Sequence, residues 1–138
     1  MLVFFFCVFV TAVCLKDMMR EYVRSSKYHP DIEKLRELLS KVTYEQKLNI
    51  LQQTKSRRSC MTALHVAAYR DDAEMITTIL SSLQSSDRLK LLMMRDNMKH
   101  TALHIAALRC HTESVKAILD TLTADQQIQL LTAEDGYG

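Results

Sequence analysis

Thr62-Ala63-Leu64-His65-Val66-Ala67-Ala68 returns as Thr101-Ala102-Leu103-His104-Ile105-Ala106-Ala107. The two stretches lie 39 residues apart (62 to 101), and their one difference exchanges Val for Ile. Two further blocks keep the same offset: Glu74–Leu80 aligns with Glu113–Leu119, and Arg88–Leu92 with Gln127–Leu131. A period in the range of roughly 20–50 residues marks an architecture of stacked units. Three blocks at one offset make the repeat a property of the chain, which a single shared heptapeptide would not.

Each unit reads as two helices and a connector. Thr62 and Thr101 are helix N-cap types, whose hydroxyls accept from an otherwise orphan backbone N–H. Leu64, Ala67 and Ala68 fall at i, i+3 and i+4, one apolar stripe at helical spacing. The paired alanines let a neighbouring helix approach closely. A second helix is expected over about Ala73–Leu83 and Thr112–Leu122, striped by Met75, Ile76, Ile79, Leu80 and Leu83 in one copy and by Val115, Ile118, Leu119 and Leu122 in the other. Such a pair cannot bury its apolar face alone and needs a neighbour on each side.

These residues resemble the ankyrin repeat, whose signature is Thr-Pro-Leu-His-x-Ala at a 33-residue period. Ala63 and Ala102 stand where the family often has Pro, a mild change because Ala is an excellent helix former. The resemblance covers about Asp31–Gly138. It implies an all-α fold, an ankyrin-repeat solenoid of stacked helix-turn-helix units with short hairpin-like connectors. The expected organisation is an apolar segment over 1–15, a linker over 16–30 and repeats over 31–138. The repeats divide into a partial unit 31–61, with Asp31–Leu39 as its second helix, and units 62–100 and 101–138. The phase would place the next repeat threonine at 140, so Glu134–Gly138 looks like a hairpin cut before its helix. A fragment of a longer array is expected.

The period exceeds the family's. The extra residues are Ser85–Leu92 and Ala124–Leu131, where Ser86-Asp87 and Thr123-Ala124-Asp125 are N-cap types and the apolar pairs after them predict a short third helical turn. Glycine is scarce, with 2 in 138 residues. The family places Gly after the first helix and in the hairpin, where a left-handed backbone is needed. Asp71 and Cys110 hold the first of these places here, and Cys60 and Lys99 the second. Each mismatch costs about 1 kcal/mol.

A chain of 138 residues, 48 % hydrophobic and 25 % charged, is ordinary single-domain globular material. Net charge is +2, with residues 1–61 basic (11 Lys/Arg, 6 Asp/Glu) and 62–138 acidic (7 and 10). Neither half is charged strongly enough to imply nucleic acid. Lys55-Ser56-Arg57-Arg58 is able to meet a phosphate or an acidic partner, but its simpler role is a solvated hairpin tip. Cys7, Cys14, Cys60 and Cys110 show no redox or zinc spacing. His65 and His104 belong to the repeated heptapeptide, where the resemblance implies hydrogen bonds to the threonine and to neighbouring backbone. No metal or other cofactor is expected, and unpaired cysteines favour a reducing, cytoplasmic setting.

Leu2–Leu15 points the other way. Fourteen uncharged, mostly apolar residues are too few for a span of about 20. They suit a signal-peptide core with cleavage after Ala12, although a basic leading region is missing. A short interfacial anchor and non-coding sequence joined at a mispredicted start are the alternatives, the last favoured by the cut C-terminus. A membrane enters only through this segment or through a region outside the chain.

No phosphate loop or nucleophilic triad spacing is present, so no catalytic residue and no enzyme activity are expected. The resemblance implies a module that binds another protein, of unspecified identity, on a concave face. The positions that line it are Arg58, Ser59, Met61, Tyr69 and Arg70 in one unit, then Asn97, Met98, His100, Leu108 and Arg109 in the next, with Gly136 and Tyr137 beyond. Thr62, Leu64, His65, Thr101, Leu103 and His104 are expected to be structural. Two other functions fit the sequence: the repeat region of a larger membrane protein, enzyme or scaffold, and a small secreted repeat protein.

Overall fold

The computed structural model describes residues 2–25, 29, 31–53, 55 and 60–132, and for residues 2–9 the backbone only. Among the described residues are nine helices: α1 (Leu2–Arg24), α2 (Ile32–Lys41), α3 (Tyr44–Gln53), α4 (Ala63–Arg70), α5 (Ala73–Ser81), α6 (Ser85–Leu92), α7 (Ala102–Leu108), α8 (Thr112–Asp120) and α9 (Ala124–Leu131). Among the described residues one isolated antiparallel β-bridge occurs, Lys55 to Thr62. The fold is all-α.

The helices pack in three parallel files. α1 lies against α4 and α4 against α7; α2 against α5 and α5 against α8; α3 against α6 and α6 against α9. The unit is therefore three helices, and the expected third turn is a full helix in each copy. α6 starts one turn earlier than its acidic signal indicated, with Gln84 at the N-cap, whereas Thr123 caps α9 as expected, accepting from Gln126 N.

The first unit differs from expectation. The stretch assigned to a linker, 16–30, is helical through Arg24, and Leu15, Met18, Met19 and Tyr22 are buried in the common core. Their i, i+3, i+4, i+7 spacing makes one apolar stripe, and α1 fills the place that α4 and α7 fill in the later units. The first unit, expected to be partial, has all three helices. The interspersed charges that read as a linker (Lys16, Asp17, Arg20, Glu21 and Arg24) lie on the rest of the helix surface.

Polar contacts fix α1 in that place. Tyr22 Oη donates to Asp72 Oδ2 at 3.0 Å. Arg70 Nη2 donates to the Tyr22 carbonyl at 2.9 Å and also to the Ser25 carbonyl, with the guanidinium 4.6 Å from the Tyr22 ring centroid. A cation is thus set on the carbonyl end of α1, where the helix dipole favours it. Burial and the Asp72 carboxylate push the Tyr22 hydroxyl far above its ordinary pKa, so it remains a donor.

The third helices tie successive units together. Lys47 Nζ of α3 donates to the Ser82 carbonyl at the end of α5 (3.0 Å), and Arg88 Nη1 of α6 to the Thr121 carbonyl at the end of α8 (3.2 Å). Ser82 and Thr121 are 39 residues apart, so one contact occurs twice. Arg88 Nε also donates to Leu80 O at 2.7 Å, and Gln127, one period on, donates to Leu119 O at 2.7 Å. Partial burial lowers the Lys47 pKa.

All four glycine-type places are left-handed. Cys60, Asp71, Lys99 and Cys110 have φ of 56°, 58°, 64° and 59°. Asp71 gains something in return: its Oδ1 accepts from the buried Ser114 hydroxyl at 2.8 Å.

Candidate partner-binding surface

Each repeated helix starts with a threonine and a histidine that hold one another. Thr101 Oγ1 accepts from His104 N at 3.3 Å, and Thr101 N donates to His104 Nδ1 at 3.1 Å. In the preceding unit Thr62 N donates to His65 Nδ1 at 3.2 Å. Histidine thereby takes the place that Glu or Gln fills in the usual capping box. His65 Nδ1 accepts, so its proton sits on Nε2, which donates to the His100 carbonyl of the next hairpin at 3.0 Å. His65 is fully buried, and burial lowers its pKa. Of Thr62, Leu64, His65, Thr101, Leu103 and His104, all but the half-buried His104 are buried.

The His100 carbonyl belongs to a hairpin organised by Asp96. Asp96 Oδ1 accepts from Met98 N and His100 N, both at 2.9 Å, and Asp96 N donates to His100 O at 3.0 Å. An aspartate bonding its own downstream backbone sets such a turn. The left-handed Lys99 completes it and leaves Asn97 and Met98 exposed at the tip. Behind the hairpin, His111 Nδ1 lies 2.8 Å from the Ala68 carbonyl and links α8 to the end of α4.

Held this way, the ends of α4 and α7 present an apolar surface. Tyr69 is 50 % exposed and Leu108, one period later, 67 %. The Arg109 guanidinium lies 4.0 Å from the Tyr69 ring centroid, a contact between consecutive units. Met98 is exposed, while Met61 and His100 are half-buried, with the His100 ring 6.2 Å from that of His104. Arg58, Ser59, Gly136 and Tyr137 lie outside the described residues. Arg70 is half-buried, with its guanidinium on the end of α1.

One group of residues gave no joint signal in the sequence. Lys16 and Arg20 of α1, Asn49, Ile50 and Gln53 of α3, and Lys55 beyond it line a cleft of about 210 Å³. Lys16 and Arg20 are four apart on one helix, but only the packing of α1 on α3 brings Lys55 to them. Among the described residues no three His, Cys, Asp or Glu side chains converge as a metal site would require. No described helix is long and apolar enough to cross a membrane.

Stacked helical units with exposed hairpin tips define a solenoid scaffold for protein interaction. The chain belongs to the ankyrin-repeat family: the family model for ankyrin repeats matches three copies over residues 24–129. The match starts where α1 ends, so the helix that completes the first unit is almost wholly outside it. The fold is similar to a chain in the crystal structure of the yeast ribosomal protein Rps3 in complex with its chaperone Yar1. Identity is 19 %, coverage 92 % of this chain and 77 % of that one, and the TM-score 0.57. No curated protein matches the chain.

Proposed function

We propose that this protein is a non-catalytic binding module that takes a protein partner on the surface formed by the hairpin tips and the ends of α4 and α7. The observation that carries this is the pair Tyr69 and Leu108. At one place in two successive units, a large side chain stands at least half exposed. Aromatic, Met and Arg side chains are enriched in interface cores, and Tyr69, Met98 and Arg109 supply all three types. A neighbour of the same fold solved in a chaperone complex supports a protein as the partner class. The repeats divide as 1–61, 62–100 and 101–138, with the first unit completed by α1. Cys14, Cys60 and Cys110, free and exposed, favour a reducing compartment.

The test is site-specific photo-crosslinking in cells. A crosslinker at Leu108 should capture a discrete partner, whereas one at Lys116, on the far side of the unit, should not. Tyr69→Glu with Leu108→Glu should abolish capture by a crosslinker at Met98 without lowering Tm. Equal capture from Leu108 and Lys116 would sink the assignment.

A further inference from the structure

The cleft between α1 and α3 is set apart by its charge. Of its six lining residues, Lys16, Arg20 and Lys55 are cationic, Asn49 and Gln53 are amides, and Ile50 is apolar. Asp17 lies 3.9 Å from Arg20 Nη1, with both side chains mostly exposed. A pair that long and that wet is worth little. Among the described residues Lys16 and Lys55 have no carboxylate partner. The cleft therefore gathers three positive charges with donors between them and room for one phosphate-sized group.

The second observation concerns the helix that carries two of those cations. α1 is continuous from Leu2 to Arg24, and its first 14 residues are uncharged. Positions 2, 6, 9, 13, 16 and 20 follow one another at steps of four and three and so form one stripe of the helix. They are Leu2, Phe6, Phe9, Val13, Lys16 and Arg20. Among the described side chains ahead of Leu15, Val10 and Val13 are each 41 % exposed. The uncharged run covers about 21 Å of helix against a hydrocarbon core of about 30 Å, too little to cross it. An apolar helical stripe ending in a cationic cleft suits a surface that is apolar inside and phosphate-lined outside.

We propose that α1 docks the protein onto an anionic membrane surface, with its apolar stripe at the acyl boundary and a lipid phosphate in the Lys16–Arg20–Lys55 cleft. Charge complementarity favours this occupant over an acidic protein segment, because the apolar stripe would be left uncovered by the latter. The partner-binding surface at Tyr69 and Leu108 is made by other helices and does not enter the argument.

Sedimentation of the full chain with vesicles tests the proposal, using phosphatidylcholine alone and phosphatidylcholine mixed with phosphatidylserine. The mixed vesicles should bind at least about tenfold more tightly than the neutral ones, and binding should weaken as salt rises from about 0.1 to about 0.5 M. K16Q/R20Q/K55Q should bind the mixed vesicles about 100-fold more weakly, given the usual contribution of a surface Lys or Arg, with an unchanged circular dichroism spectrum. Phe6→Ser with Phe9→Ser should weaken binding to both vesicles. Binding that ignores lipid charge and salt would overturn the proposal, as would an unaffected charge variant. So would displacement of the protein from vesicles by a polyglutamate peptide that binds the wild type but not the charge variant, which would assign the cleft to an acidic protein instead. The salt series needs no variant and stands if a substitution disturbs folding.

Discussion

α1 and α4 occupy the same place in successive units, each with a second and a third helix packed beside it, yet their sequences share no motif. α4 carries the threonine cap, the histidine and the paired alanines. α1 carries Leu15, Met18, Met19 and Tyr22 on a helix roughly three times as long, with a connection of seven residues (25–31) where α4 has two (71–72). What the two share is apolar spacing: Leu15, Met18 and Met19 follow the i, i+3, i+4 pattern of Leu64, Ala67 and Ala68. The stack selects for a helix with a buried face. The heptapeptide is one way of supplying that face, adding a cap and a link to the next hairpin.

If α1 is a working repeat helix, its removal should be as damaging as damage to α4. Tyr22→Ala deletes a buried ring, the hydroxyl donor to Asp72 and the surface on which Arg70 stacks. It should cost about 3–5 kcal/mol in urea unfolding, the range for large aromatic truncations. A loss below about 1 kcal/mol would return residues 16–24 to the status of a linker.

The next effect separates the two copies of the motif. His65 is fully buried and bonded to the His100 carbonyl, whereas His104 is half-buried. His65→Ala should cost about 2–3 kcal/mol and His104→Ala about 1–2, since the loss grows with the desolvation of the group left behind. His65 also carries a pH response. With its folded pKa lowered from 6.5, neutral His65 contributes its full stability above about pH 6.5. That contribution is lost as pH falls below 6.5 toward the folded value, because the unfolded chain takes up the proton first. The urea midpoint should therefore drop on acidification, and His65→Ala should flatten part of that slope.

Smaller effects test the strained positions and the binding surface. Cys110→Gly should raise stability by about 0.5–1 kcal/mol in the same assay, because glycine takes φ near 59° without a Cβ clash. Asp71→Gly should not, since it loses the carboxylate that accepts from Ser114. Arg109→Ala should change stability by less than about 0.5 kcal/mol and reduce crosslinking from Leu108, as expected for an exposed residue off the core.

Much of this was legible in one dimension. The 39-residue period set the stacking, full helices formed over the residues where a short third turn was expected, and Cys60, Asp71, Lys99 and Cys110 could be assigned left-handed backbone from the places they hold. The candidate surface was legible as positions, but its membership was not. Tyr69 and Arg70 are neighbours in sequence, yet one ring faces solvent and one guanidinium is drawn to the end of α1, a partner 45 to 48 residues away. A repeat pattern shows which positions are equivalent without showing which long-range contact claims a particular side chain.

By itself the sequence determined the unit, its period and its caps, because these are local: a helical stripe, a threonine three residues before a histidine, a residue forced to positive φ. Only the tertiary structure decided that α1 completes the first repeat and that Lys16, Arg20 and Lys55 share one cleft. Both depend on where a helix without the motif comes to rest. That is set by the apolar surface it finds to bury, and such burial has no direction that a one-dimensional pattern records.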